Sequence, residues 1–240
     1  MSISLAGKDV LRYVLKGLVI GLAFFIVLSV LSVLAFRWIP VPVSSVMVQR
    51  EIEALVSGKS LSYHYDWVSY DEISPQLKMA VITSEDQLFP FHHGFDQHQI
   101  EMALRSWRAG DALRGASTLS QQTSKNIWLW TDSNWVRKGI EAWFTVLIEA
   151  MWPKHRILEM YLNLAEWGPG IYGAQAAAEH YFGTSAARLT QRQAELLASV
   201  LPAPFIWSPV HPDQRTLEHV GWISRQEAQL GGLHYLDNVH

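Results

Sequence analysis

The 240 residues are 49% hydrophobic and 12% aromatic, enough to bury one substantial core once a terminal segment is set aside. A formal charge of -3 gives no overall basic field, which argues against a nucleic-acid binder and leaves any anion site local. The absence of cysteine excludes disulfides, zinc-thiolate sites and a cysteine nucleophile.

Lys8, Arg12 and Lys16 precede Gly17 to Phe36, an uncharged run long enough at a helical rise to cross a bilayer. Only Arg37 follows directly, so the positive-inside rule puts residues 1–16 in the cytoplasm and the remainder outside. The run exceeds the roughly 7–15 residues of a signal-peptide core, and Phe36-Arg37-Trp38 is a poor cleavage context. Residues 17–36 therefore read as a retained transmembrane anchor, with residues 37–64 as a linker that Pro40 and Pro42 keep extended.

Ser74-Pro75 supplies an N-cap and a first-turn proline for a helix running through Leu77, Val81 and Ile82 toward Glu85. Apolar residues at three- and four-residue spacings predict helices over 97–107, 121–130, 135–152 and 155–164. Thr190 with Gln193 makes a capping box ahead of another helix, which Pro202 ends. Strand-like alternation is scarce. The expected fold is an all-α globular domain over residues 65–212, followed by a tail over 213–240 in which 218–230 has a helical pattern.

Three local features carry chemistry. Residues 101–140 hold Arg105, Arg108, Arg114, Lys125, Arg137 and Lys138 against Glu101, Asp111 and Asp132, a net of +3 within a chain of -3. Ser117, Thr118, Gln121, Gln122 and Asn126 lie among them and offer groups that bind phosphate and sugar oxygens. A solvated helix face is the alternative. The acid pair Glu85-Asp86 is followed by Phe89, Phe91, His92 and His93, an environment that can raise a carboxyl pKa toward proton-transfer range. Such a pair also occurs simply as a helix end. Arg137 and Glu141 share a helix face at i, i+4 with Lys138 close by, which by itself is an ordinary ion pair.

The residues from Glu85 through Phe89, His92, Gly94 and Asp96, then Gly115 to Asn126, then Arg137-Lys138-Gly139-Ile140-Glu141, then Arg156 to Asn163 continuing to Gly183, form four ordered motifs. This series resembles glycosyltransferase family 51, the peptidoglycan glycosyltransferases, over about residues 65–210. The resemblance implies a lysozyme-like helical fold and polymerisation of lipid II, with a growing lipid-linked glycan strand as donor. It implies Glu85 as general base and Glu141 as second acid, with Lys125, Arg137 and Lys138 neutralising the departing pyrophosphate.

Ser117, Thr118, Gln121, Gln122 and Asn126 become candidate donor-site contacts, and Asp86, Phe89, His92 and Asp96 supporting residues. A divalent ion, magnesium or manganese, is compatible with Glu141 but is not required, and no cofactor is expected. Other cell-wall synthases are compatible partners, and the bacterial inner membrane is the expected location. Leu88, Phe89, Pro90 and Phe91 with Ile127, Trp128, Leu129 and Trp130 form either a membrane-dipping set or core. No Ser-x-x-Lys sequence occurs, so no transpeptidase activity is expected. The rivals are a membrane-bound muramidase or lytic transglycosylase and a non-enzymatic wall scaffold. The cationic motifs disfavour both, because neither needs to hold pyrophosphate.

Overall fold

The computed structural model describes residues 5–58, 63–108, 117–132 and 134–240. Asp111, Arg114, Gly115 and Ala116, with the side chain of Arg108, lie outside the described residues, so the second motif is followed from Ser117 onward. The chain divides after Ile39 into two units.

The first unit is α1 (Leu5–Phe36), whose stretch Val10–Phe36 is long and apolar enough to cross a membrane. It starts well ahead of the apolar run because no proline interrupts residues 5–16.

In the second unit, α2 (Ser45–Val56) starts at the N-cap Ser44, whose hydroxyl accepts from the Met47 amide. A short strand β1 (His64–Tyr65) leads to α3 (Pro75–Glu85), capped by Ser74 as its sequence predicts. Every α3 residue from Leu77 to Thr83 is buried, which makes this the central helix and explains its lack of an amphipathic stripe. Asp86, at φ -161° and ψ 77°, ends the helix directly after Glu85.

Next come α4 (Gln97–Arg108), α5 (Leu119–Trp128), α6 (Trp135–Met151) and α7 (Lys154–Leu164), close to the predicted bounds. α5 packs on both α6 and α7. Strands β2 (Glu166–Gly168) and β3 (Ile171–Tyr172) form a hairpin, with β1 parallel to β3 at its far edge. The predicted helical architecture holds, and this small sheet is the addition. Two- and three-residue strands are too short to show alternation.

Helices α8 (Ala174–Phe182), α9 (Gln191–Val200) and α10 (Gln214–Leu230) follow. The Thr190 hydroxyl and the Gln193 side chain cap α9 reciprocally, as expected. Asp213 caps α10 by accepting from the Thr216 amide at 2.7 Å. α10 packs against α3 and α9, burying Val220 and Ile223 fully, so the segment after residue 212 joins the same core.

The aromatic set divides. Phe89, Ile127 and Leu129 are buried, so for these three the core alternative stands, while Trp128 is half-buried and stacks on Phe144 at 4.3 Å. Leu88, Phe91 and Trp130 are exposed.

Candidate active site

The first motif is fixed to the start of α5 by a chain of polar contacts. The Gly94 amide donates to His92 Nδ1 at 3.0 Å, so the ring proton sits on Nε2, which donates to Asp86 at 2.9 Å. The same Asp86 oxygen accepts the Leu119 amide at 2.9 Å. A carboxylate thereby satisfies one of the open amides at a helix N-terminus. The Thr118 hydroxyl donates to the Gly94 carbonyl at 2.7 Å and closes a capping box with Gln121. Gly94 is required here, since it adopts φ +88° and a Cβ would lie 2.7 Å from Thr145 Cγ2.

These contacts aim Glu85 at α5. Gln122 Nε2 donates to Glu85 Oε2 at 2.9 Å, and the Gln122 carbonyl oxygen accepts from the Tyr161 hydroxyl at 3.3 Å. Burial pushes the Glu85 carboxyl above its usual range and the Asp86 charge adds to this, while the Gln122 bond and Lys125 oppose it. Burial likewise raises the Tyr161 hydroxyl, which stays a neutral donor.

Three cations gather beyond Gln122. Arg137 Nη1 donates to Glu141 Oε2 at 2.6 Å and Lys138 pairs with the other Glu141 oxygen, also lying 3.4 Å from the Ser117 hydroxyl. Glu141 and Arg137 are both buried, and Arg137 Nε has no hydrogen-bond partner among the described residues. Lys125 is lowered by burial, and the Arg137 and Lys138 charges add to this while Glu141 and Glu85 oppose it. A divalent ion does not fit this donor set as it stands, because both Glu141 oxygens already face cations. Among the described residues, no group of three or more His, Asp or Glu side chains could hold a metal.

Glu85 lines one cavity and its partner Gln122 lines another. The first, of about 430 Å³, is lined by Glu85, Asp86, Asp96 and Ser117 and by Trp222 and Gln226 of α10. The second, of about 200 Å³, is lined by Gln122, Lys125, Asn126 and Tyr161 together with Arg50 and Glu166, while Arg137, Lys138 and Glu141 line neither. Ser117 and Thr118 thus border the first cavity and Gln122, Lys125 and Asn126 the second, whereas Gln121 lines neither and its side-chain oxygen accepts the Thr118 amide in the cap. Phe89 is fully buried and packs its ring against His92. Asp96 lies near the start of α4, accepting from the Gln99 amide at 3.0 Å.

Sequence reasoning does not single out Tyr161, Arg50, Glu166 or the α10 residues. Tyr161 lies inside the fourth motif, which offers a signal for it. The others are brought in only by tertiary packing.

The transglycosylase family model matches residues 53–228. The biosynthetic peptidoglycan transglycosylase of Chromohalobacter salexigens is 53% identical over 232 residues, covering 97% of this chain and 99% of that protein. The protein of the same name from Pseudomonas fluorescens Pf-5 is 51% identical over 230 residues, 96% of each chain. That of Pseudomonas aeruginosa is 49% identical over 226 residues, 94% of this chain and 97% of its own.

Proposed function

As the chain belongs to the transglycosylase family, we propose that it is a peptidoglycan glycosyltransferase polymerising lipid II into β-1,4 glycan strands with inversion. Glu85 is the general base. It takes the proton of the acceptor's 4-hydroxyl as that oxygen bonds to the donor's anomeric carbon. The bond from that carbon to the pyrophosphate oxygen breaks, and its electron pair leaves with the lipid pyrophosphate. Lys125, Arg137 and Lys138 meet the charge that develops there. Glu141 holds the two α6 cations in place.

The observation that supports this reading is the bond between Glu85, which lines a cavity bearing three carboxylates, and Gln122, which lines one bearing Lys125 and Arg50. A hydrolase of neutral glycosidic links has no use for the second. Asp86 and His92 position the first motif, and α1 anchors the protein in the bacterial cytoplasmic membrane, with residues 1–16 inside and the catalytic unit outside. The test is to incubate the full chain with lipid II and, separately, with preformed glycan. Long glycan from lipid II and no cleavage of preformed strands are expected. Cleavage without polymerisation would replace this reading with the lytic one.

A further inference from the structure

α10 presents two different faces. Thr216, Val220, Ile223 and Glu227 are buried against the core. Trp222, Gln226 and Leu230, spaced at i, i+4 and i+8, line the cavity that contains Glu85. Trp222 is 37% exposed and lines the cavity wall, so it is accessible to a molecule bound there.

Its setting is fixed. The indole lies beside the His219 ring at 5.6 Å and 32°, and His219 Nδ1 donates to the Ser199 carbonyl at 3.2 Å. Gln226 accepts from Gln87 Nε2 at 3.4 Å, which ties α10 to the residue two positions after Glu85. The described residues lining this cavity include no lysine or arginine. Lys138 reaches the edge of the cavity at Ser117, but Glu85, Asp86 and Asp96 line it, and this excess of carboxylates suits a neutral sugar whose hydroxyl must lose a proton.

We propose that Trp222, with Gln226, is the platform that seats the acceptor's terminal sugar and directs its attacking hydroxyl to Glu85. The apolar face of the sugar ring stacks on the indole, and Gln226 Nε2, which gives one N–H to Gln229 at 3.0 Å, gives its second to a ring hydroxyl. This assignment rests on the glycosyltransferase reading and adds α10 to its substrate contacts.

The test separates acceptor from donor using the full-length protein. Lipid II blocked at its 4-hydroxyl serves only as donor, and a C-glycoside analogue of lipid II, whose anomeric carbon carries no departing oxygen, serves only as acceptor. Trp222→Ala is expected to raise KM for the acceptor about tenfold, with donor KM and kcat moving less than about twofold. Trp222→Phe restores most of the loss. Gln226→Ala, which keeps the indole, raises acceptor KM too, and it decides the matter if Trp222→Ala does not fold. Unchanged acceptor KM in folded variants, or an equal rise for both substrates, would overturn the proposal. Absence of any product from the unaltered protein with ordinary lipid II overturns the underlying reading instead, and is seen before any variant is made.

Discussion

The side-chain amide of Gln122 donates to Glu85 at 2.9 Å while its carbonyl oxygen is held by the Tyr161 hydroxyl at 3.3 Å, so the amide can present only its donor to the carboxylate. The bond pulls the Glu85 pKa down against the upward push of burial. Gln122→Met removes the donor at similar size. The base then needs a higher pH to ionise, so the acidic limb of the polymerisation rate moves to higher pH. Rates measured across the pH range in the two proteins check this; an unmoved limb with reduced kcat at every pH would assign Gln122 a different role.

Asp86 accepts from both His92 Nε2 and the Leu119 amide. Asp86→Ala removes the oxygen that accepts both, leaving the His92 ring N–H and the Leu119 amide without that buried partner. A loss of about 1–3 kcal/mol in stability is expected. Denaturant melts of the variant, read beside polymerisation rates, measure it, and an unchanged midpoint would contradict the bracing role.

Gly139 lies inside α6, and a Cβ there would meet none of the described residues within 4 Å. Gly139→Ala therefore removes unfolded-chain freedom without a clash. It should stabilise the protein by about 0.5–1 kcal/mol. Thermal melts decide this, and destabilisation would show that the position depends on its lack of a side chain.

Glu227 is buried where α10 packs on α9, and its carboxyl is pushed up to about 7 by burial and the Glu195 charge, against a bond from Gln191. Its folded value lies above the ordinary carboxylate range, so its contribution is fully present below that range and is lost as pH rises through about 7. The Tm should fall between about pH 5 and pH 8, and Glu227→Gln should flatten that fall. Parallel slopes in the two proteins would remove Glu227 as the cause.

Much of this was legible from local chemistry. Ser74-Pro75 and the Thr190–Gln193 pair mark helix starts by side-chain hydrogen bonds that depend on nearby residues alone, and both starts stand. Thr118 and Gln121 have the same spacing and make the same cap, although sugar-binding groups in a cationic stretch invite a different reading of them. Trp222, Gln226 and Leu230 could not be read in this way. Their spacing is that of any helix face, and their meaning arises only because α10 packs beside Gln87. The strands β1 and β3 escape for a similar reason, since two residues acquire a register only from a partner distant in the chain.

The central claim is that Glu85 is the base for transfer, and lipid II polymerisation by Glu85→Gln tests it most directly. The substitution keeps the size of the side chain and removes its basicity. The initial rate should fall by about 10²- to 10⁴-fold, with Tm and lipid II binding close to those of the unaltered protein. Undiminished glycan strands from a folded Glu85→Gln protein would contradict the account.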